Sequence, residues 1–585
     1  MEKIKKFLLI NKWEILSISS LSLIFFILVY LFVSHMGNII VDCGREAYFP
    51  EQVLNGKVLY KDIFNIMGPL SYQINALLYG IFGINLDSLR LAGTVNTFLT
   101  LSFLYILSRL FTSKEISWAI TLFIMVSCAF SPWVFNYIFP YSFAVSYAFC
   151  AFLISSLLLV LYFKNSKHFL IPLSWFFIGV SLSSKPDYIL FVPLLITITL
   201  FLRFYKKLDN KYILYSIFSF LIIPFLCFSI LFLQGLTLND FLIQFKTIGK
   251  FSVVPSIHYF YSNLVGFYPK IESLSASLKK CGQIIPLSTF LLASFYFYLK
   301  FSQNKFKNIE GLILSLGSVV LFLYGFYSYI DDSPFLLFSW LPLFSLFLLA
   351  FVFIQLIKTK NYYKEGPFTL FIIISLIGAS KTFFFLDMHV YGTFTFPLLF
   401  MVISVFVVEY LPGYYPFIDK IILKKAFLIF LLILTAFFMQ HLLSTTKNNQ
   451  FLSTKRGEIY NPPEIVIPTQ QTINYIQKTL KPDDKVWIIP EGIMINFITN
   501  HPSNGVYYSP LPHYIEAFGE DKIISDTQKE KINYIIINNR NSSDYGPAYM
   551  CKDYGLKICN WVYANYSKEK VFDNNRFKIT IYKKL

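Results

Sequence analysis

The chain has 585 residues, of which 56% are hydrophobic and 14% are charged, and its formal net charge is +17. Soluble domains carry roughly 25% charged residues, so this composition excludes a protein for which water is the only solvent. The basic balance does not indicate nucleic-acid binding, because Lys and Arg cluster in short segments between apolar runs, as in the cytoplasmic loops of membrane proteins.

Thirteen apolar segments are candidate transmembrane helices, since about 20 apolar residues cross a bilayer. They cover residues 14–34, 88–111, 116–134, 142–163, 169–183, 187–204, 212–233, 284–300, 310–330, 335–357, 367–386, 391–410 and 426–442. The fifth and sixth are short and are separated by residues 184–186, so we expect that this hairpin does not cross as two full, straight helices. The first lacks a small-residue cleavage site and is predicted to be a retained helix.

The basic residues of the short connections predict the orientation. With a cytoplasmic amino terminus, the inner connections hold basic clusters such as residues 203–211 and 420–425, whereas the short outer connections hold only Lys185. This bias predicts an integral protein of the plasma or inner membrane. Thirteen crossings then place the carboxy terminus outside the cytoplasm.

Two outer segments, residues 35–87 and 234–283, are too long to be simple connectors. In the first, residues 46–54 are predicted to form a helix that ends at Asn55-Gly56, a suitable cap. Residues 71–82 are apolar and aromatic but too few to span, so we expect an amphipathic helix in the interface.

The composition changes near residue 445 to Asn, Lys, Asp, Pro and Ile, which separates a membrane domain (1–444) from a soluble one (445–585). Helices are predicted at 472–480 and 493–499 and strands at 485–489 and 532–537, and their alternation indicates a small extracytoplasmic α/β domain. Glu491 follows the first strand and is interpreted as part of a tight turn at a helix amino terminus, not of a catalytic site. Cys551 and Cys559 fit either a disulfide or two free thiols.

The first outer loop begins with Asp42, Arg45 and Glu46, which would share one face of a helix. An acidic pair beside a guanidinium group, at the outer end of the first span, suits general-base catalysis on a hydroxyl. The alternative is that Asp42 only caps the loop helix, although Arg45 stands where a capping box has Glu. Asp42 and Glu46 are therefore the predicted catalytic residues, with Arg45 in substrate binding.

Farther along this loop, Tyr60 and Asp62 precede Gly68-Pro69, a turn signal that leads back into the apolar stretch. Tyr60 is a candidate for substrate binding. For Asp62 two interpretations are open, since it either assists in binding substrate or anchors the turn.

Two lysines lie in apolar surroundings. Lys185, at the outward apex of the short hairpin, either pairs with Asp187 or binds a lipid phosphate, for which Lys is a good point-charge ligand. Lys381 lies near the outer end of an apolar helix and is expected to extend to the interface, with Asp387 as partner. It would form a second polar wall of an outward cavity and bind substrate there. The other predicted residues of this wall are His389, which is alternatively a packing residue, and Tyr391.

No Gly-rich phosphate loop, His/Cys metal spacing or nucleophile elbow occurs in the sequence. Soluble nucleotide-sugar and ATP chemistry are therefore not supported. The sequence requires no cofactor and predicts no set of metal ligands.

The first loop, with Asp42, Arg45, Glu46, Tyr60 and Asp62 followed by Gly68-Pro69, resembles that of bacterial membrane glycosyltransferases of the GT-C fold. The relatives are those grouped with protein O-mannosyltransferases and aminoarabinose transferases. The layout of spans, acidic first loop and outer tail is similar over the whole chain, and residues 487–492 followed by 496–497 look like the tail of uncharacterised members.

The resemblance implies that an acid in the first outer loop acts as, or near, the catalytic base, and Asp42 matches that position with Glu46 as a second acid. Some relatives carry a second acid directly beside the first, where this chain has Cys43. The implied reaction moves a sugar from a polyprenyl-phosphate donor to a hydroxyl of a lipid, glycan or protein acceptor. Arg45, Lys185 and Lys381 would stabilise the leaving phosphate, and the aromatic interfacial segments would seat the prenyl chain among membrane lipids.

Other functions remain open at this point. The main alternative is a multi-pass transporter or lipid flippase of glycolipid or polysaccharide export, which predicts repeated halves with interrupted helices. The sequence has no such symmetry. A polysaccharide polymerase or ligase is another alternative, and it would favour an Arg-rich large loop. In a non-catalytic assembly or sensory protein, Asp42 would have no assigned function.

Overall fold

The computed structural model describes residues 2–205, 208–301, 305–328, 336, 338–360 and 362–585. The helices before the tail are α1 (Glu2–Phe32), α2 (Cys43–Leu54), α3 (Leu70–Phe82), α4 (Leu86–Arg109), α5 (Lys114–Ile124), α6 (Phe143–Asn165), α7 (Leu170–Ser184), α8 (Val192–Tyr205), α9 (Asn210–Leu233), α10 (Leu238–Phe251), α11 (Pro255–Phe260), α12 (Ile271–Phe301), α13 (Lys305–Ser328), α14 (Leu341–Thr359), α15 (Tyr362–Gly378), α16 (Thr393–Val405), α17 (Leu411–Tyr414) and α18 (Lys420–Thr446). The elements of the tail are β1 (Gln450–Thr454), β2 (Gly457–Asn461), α19 (Pro463–Thr479), β3 (Val486–Ile489), α20 (Met494–Thr499), α21 (Pro512–Phe518), α22 (Glu520–Lys529), β4 (Tyr534–Asn538), α23 (Leu556–Asn565), β5 (Tyr566–Asp573) and β6 (Lys578–Lys584).

Nine helical segments within the described residues are long and apolar enough to cross a membrane. They are Lys12–His35, Leu86–Arg109, Phe143–Asn165, Pro186–Tyr205, Asn210–Leu233, Ile271–Lys300, Leu341–Thr359, Val390–Tyr414 and Lys420–Thr446. The apolar window of α6 is 78% buried, so α6 lies in the centre of the bundle, whereas that of α9 is 17% buried. A helix that is apolar on all faces and packed on few of them suits a lipid environment. The protein is therefore a polytopic α-helical membrane protein; the number of thirteen crossings stays a prediction.

The first outer loop forms two helices. The predicted helix at 46–54 begins three residues earlier, as α2, and the apolar stretch at 71–82 is α3. Helix α3 buries Tyr72, Ala76 and Tyr79 against the protein and exposes Leu77 and Ile81 on its other side. Both sides of α3 thus have apolar surface, which suits a helix packed between the protein and the membrane interface.

The short hairpin consists of α7 and α8, joined by Lys185 and a 3-10 segment, Pro186–Phe191. The N–H of Gly68 in the first loop donates a hydrogen bond to the carbonyl oxygen of Ser184 at 2.8 Å. A Cβ at Gly68 would overlap the carbonyl oxygen of Ser183, so this approach requires glycine. The first loop therefore covers the apex and buries Lys185, which is 5% exposed.

The tail contains a four-stranded sheet in the order β3-β4-β6-β5, in which only β3 and β4 run parallel, and a separate β1-β2 hairpin. The predicted strands at 485–489 and 532–537 are β3 and β4, and the predicted helix at 472–480 is the second half of α19. Trp487 and Ile535 are fully buried in the core of this sheet. A disulfide joins Cys551 to Cys559.

The tail packs directly on the first outer loop. Arg456 binds the carboxylate of Glu51 in α2 with two nitrogens, at 2.8 and 2.9 Å. The N–H of Ser503 donates to the hydroxyl of Tyr48 at 2.9 Å. Bidentate Arg–carboxylate pairs are among the strong, geometrically specific contacts in proteins, so α2 and the tail hold a fixed relative position.

We expect Gly44→Ala to loosen this docking, because a Cβ at Gly44 would overlap the backbone nitrogen of Met494 in α20. Backbone cannot swing aside as a side chain does, and such overpacking costs roughly 1–3 kcal/mol. Thermal unfolding and limited proteolysis of the tail measure the effect. In the control, Gly80→Ala, the new Cβ would meet only the Leu54 side chain, at 3.6 Å. Equal protease resistance of the two variants would contradict the contact.

Candidate active site

Three cavities meet between the first outer loop, the hairpin apex and the tail, and Tyr261 and Tyr391 line all three. The upper chamber, of about 230 Å³, contains in its wall Asp42, Arg45, Tyr141, Glu491, His513, Arg540, Asp544 and Tyr545. The apolar groove, of about 600 Å³, contains Tyr60, Pro224, Phe228, Phe241, Phe245, Lys185 and Lys381. The side cavity, of about 360 Å³, shares the two lysines and Asp187 with the groove.

Asp42 stands immediately before α2, with φ at +56°. Its N–H donates to Oε1 of Glu491 at 2.7 Å, and its Oδ1 lies 3.5 Å from Nη1 of Arg45. Within the described part of the chain its carboxylate makes no capping hydrogen bond to α2, and the side chain is 30% exposed. The carboxylate is therefore available to a molecule in the upper chamber.

The enclosed chamber changes the protonation of this carboxylate. Burial raises the pKa of Asp42 above its ordinary value, although the guanidinium groups of Arg45 and Arg540 act in the opposite direction. A base with a raised pKa accepts a proton more readily once it is ionised. This environment suits proton abstraction from a hydroxyl.

Glu46 lies behind Arg45 rather than in the chamber wall. It is fully buried, and its carboxylate accepts hydrogen bonds from Nε of Arg45 at 3.0 Å, the Tyr72 hydroxyl at 2.9 Å and the Phe143 N–H at 2.8 Å. Arg45 in turn donates from Nη2 to the carbonyl oxygen of Tyr141 at 2.8 Å. Glu46 thus orients Arg45, and Arg45 holds Asp42 against the chamber.

The tail supplies a second carboxylate that the sequence did not assign to a site. Glu491 is 7% exposed, and its Oε2 lies 2.7 Å from Nε of Arg540, whose Nη2 donates to Asp544 at 3.2 Å. Burial and the nearby Asp42 raise the pKa of Glu491 to about 7. Glu491 follows β3 and Arg540 follows β4, and the carboxyl ends of adjacent parallel strands meet at one edge. A charged residue two or three positions after each predicted strand was the available signal.

Lys185 and Lys381 converge on one acid. Nζ of Lys381 lies 2.9 Å and Nζ of Lys185 lies 3.7 Å from Oδ2 of Asp187. Sequence reasoning suggested Asp387 as the partner of Lys381, whereas the structure places Asp187 there. The Lys381 ammonium also lies 4.1 Å from the centre of the Tyr391 ring. Two cations beside one carboxylate leave a positive charge where the apolar groove begins.

Tyr60 and Asp62, the two other candidates in the first outer loop, have different surroundings in the structure. Tyr60 lines the groove, where its hydroxyl donates to the carbonyl oxygen of Met67 at 2.6 Å. Asp62 accepts the N–H of Val58 at 2.9 Å and anchors the turn, and it is absent from the described walls of the three cavities. The side chain of His389 lies outside the described residues.

We expect the catalytic efficiency to depend on pH through Asp42. A base acts only when it is deprotonated, so kcat/KM should rise with pH and be lost as the pH falls through the raised pKa of Asp42. Asp544→Asn removes a neighbouring negative charge that raises the pKa of Asp42, so it should move this acid limb to lower pH. Profiles of kcat/KM against pH for both proteins measure the shift; a limb displaced to higher pH would contradict the coupling.

No family model and no curated protein matches the chain. Among solved structures, it is similar to ArnT from Cupriavidus metallidurans bound to undecaprenyl phosphate, with 11% identity, 98% of each chain covered and a TM-score of 0.45. The apo state of that protein gives 13% identity, the same coverage and a TM-score of 0.44. The archaeal oligosaccharyltransferase AglB from Archaeoglobus fulgidus, in complex with an inhibitory peptide and a dolichol-phosphate, gives 11% identity and a TM-score of 0.43. The match covers 89% of this chain and 68% of the AglB chain.

Proposed function

We propose that the protein is a glycosyltransferase that moves a sugar from a polyprenyl-phosphate donor to an acceptor hydroxyl on the outer face of the membrane. One observation carries the proposal. A chamber with a carboxylate in its wall, a pair of lysines and an apolar groove adjoin one another, and Tyr261 and Tyr391 belong to the walls of all three cavities. The groove and the lysine pair match the apolar chain and the phosphate of a lipid-linked sugar. Its sugar would then lie where the three cavities meet, beside Tyr261 and Tyr391, with Asp42 in the adjoining chamber.

The groove suits the polyprenyl chain. Its wall is built from aromatic and aliphatic side chains of α9 and α10, among them Phe228, Phe241 and Phe245. Phe245 is 64% exposed, so the groove has an apolar rim toward the surroundings. A lipid tail would enter there from the bilayer and exchange contacts with lipid chains for contacts with these rings, so that it stays out of water throughout.

The lysine pair suits the phosphate. Lys185 and Lys381 share Asp187, and an anion placed between them would meet the charge that this single carboxylate leaves uncompensated. Ammonium groups bind phosphate oxygens strongly when water is excluded. The same cations would stabilise the negative charge that grows on the phosphate as it leaves.

The reaction would proceed with Asp42 as base. The acceptor oxygen forms a bond to the anomeric carbon, the bond from that carbon to the phosphate oxygen breaks, and the electron pair stays with the polyprenyl phosphate. The acceptor proton passes to the Asp42 carboxylate. Glu46 acts as a positioning residue, because it lies outside the described chamber wall and orients Arg45. Arg45 itself lines the chamber and pairs with Asp42.

Two features support a location of the reaction on the outer face of the membrane. Basic residues cluster in the connections that become cytoplasmic when the amino terminus is inside. The tail carries a disulfide between Cys551 and Cys559, which is typical of compartments outside the cytoplasm.

The test uses the purified protein in nanodiscs with synthetic polyprenyl-phosphate monosaccharides. We expect release of polyprenyl phosphate together with transfer of the sugar to an acceptor. The alternative function, a transporter or flippase, predicts movement of the intact lipid across the bilayer in proteoliposomes, with no cleavage. Intact lipid that changes leaflet without loss of its sugar would overturn the proposal.

A further inference from the structure

The wall of the upper chamber contains five buried polar atoms without a hydrogen-bond partner among the described residues. Oε2 of Glu491 and Nε of Arg540 face each other in an ion pair at 2.7 Å, and three further atoms have no such pairing. They are the hydroxyl oxygen of Tyr141, Nδ1 of His513 and Oδ1 of Asp544, and all three residues line the chamber. Tyr141 and His513 are each only 4% exposed. Buried polar groups are nearly always satisfied by protein, water or ligand, so a molecule with several hydrogen-bonding groups fits here.

Aromatic rings surround these polar atoms. The Tyr545 ring lies 4.2 Å from that of His513 and 5.1 Å from that of Phe260, between ring centres. On the membrane side, the Tyr141 and Tyr391 rings are 5.6 Å apart. Flat apolar faces with a few directed polar groups are the pattern of a site for a compact, partly apolar and partly polar ring.

Among the described residues of the chamber wall, no cation without a carboxylate partner faces a guest. Each guanidinium group faces two carboxylates: Arg45 faces Asp42 and Glu46. Arg540 faces Glu491 and Asp544. The described residues of the chamber wall include no lysine, in contrast to the groove. A phosphate or carboxylate on the acceptor would therefore meet carboxylates without a free cation.

We infer that the acceptor is a neutral carbohydrate, whose terminal sugar ring binds in the upper chamber through Tyr141, His513 and Asp544. This inference rests on the proposed function and names its acceptor class. The chamber, of about 230 Å³, is smaller than the roughly 300–1,000 Å³ of ordinary ligand pockets. This volume fits a single sugar ring. Because His513 and Asp544 are residues of the tail, the tail contributes to the selection of the acceptor.

The test is saturation-transfer-difference NMR on the full-length protein in nanodiscs, which avoid sugar-headed detergents. The probes are the methyl glycosides of glucose, galactose and N-acetylglucosamine, with methyl glucuronide as the anionic counterpart and a neutral Ser/Thr peptide as the protein-type counterpart. We expect saturation transfer from the protein to at least one neutral glycoside, which reports binding. Its affinity should fall by about 3-fold or more in Tyr141→Phe and by about 10-fold in Asp544→Ala, because each loses a hydrogen bond to the ligand.

Tyr475→Phe is the matched control. Its hydroxyl bonds to Glu569 on the outer surface of the tail, so the affinity should equal that of the parent. Circular dichroism and size exclusion establish that the variants are folded. Saturation transfer only to the glucuronide or the peptide, transfer to none of the probes, or equal affinity in the parent and both chamber variants would overturn the inference.

Release of polyprenyl phosphate from the donor, measured in parallel, separates the two proposals. Donor cleavage without binding of any neutral glycoside would overturn the acceptor class and leave the transferase function in place. Binding of a neutral glycoside without donor cleavage would overturn the transferase function and leave a carbohydrate-binding chamber.

Discussion

Asp42→Asn is expected to lower the rate of sugar transfer by about 10²–10⁴-fold, the range that a positioned general base contributes. Asn has nearly the same shape, and the backbone N–H that binds Glu491 at 2.7 Å is unchanged. The variant loses only the basic carboxylate and its charge toward Arg45. We therefore expect normal insertion, normal expression and normal binding of the donor.

Single-turnover kinetics at saturating donor and acceptor measure this effect, because they report the chemical step apart from product release. Asp521→Asn is the matched control: Asp521 is an exposed tail carboxylate paired with Lys557, and such surface pairs contribute little to stability. A parental rate in Asp42→Asn would remove Asp42 from the mechanism. A loss in both variants would point to damage of the tail.

Lys185→Met together with Lys381→Met is expected to lower kcat/KM for the donor by about 10²–10³-fold. The reason is that the leaving phosphate would lose the cations that stabilise its growing charge in a site with little water. The difficulty is Asp187, because removal of one partner from a buried ion pair can itself destabilise a protein by roughly 3–5 kcal/mol. The test therefore also includes a substitution of Asp187.

Asp187→Asn in the double-lysine background separates the two roles of the lysines. If they served only to neutralise Asp187, the triple variant would regain both stability and activity. If they bind the donor phosphate, thermal stability returns while kcat/KM stays low. Asp187→Asn alone should not weaken donor binding, since both lysines then face the phosphate without a competing carboxylate. Lys557→Met, on the tail surface, controls for the loss of positive charge.

The sequence predicted the features that depend on neighbouring residues. Runs of apolar residues predicted a polytopic helical membrane protein, and the apolar stretch at 71–82 became α3. Strands β3 and β4 lie where the short apolar runs predicted them. Hydropathy and periodicity are properties of a local segment, so they can be obtained from the order of residues alone.

The candidate site was predicted in part for the same reason. Asp42 and Arg45 are three positions apart, so they lie close together even though Asp42 stands before the first residue of α2. Lys185 stood out as a cation at the apex of an apolar hairpin. In each case the unusual feature was a charge in an apolar context, which a single sequence displays.

What the tertiary structure decided was which distant residues meet. Asp42 and Glu491 are 449 positions apart, and Lys381 and Asp187 are 194 positions apart. Glu46, which the sequence predicted as a second catalytic acid, is fully buried behind Arg45. The difference between these two acids arises from the packing of α3, α6 and the tail around α2. Such packing depends on shape and on buried hydrogen bonds across the whole chain, which no local pattern of residues contains.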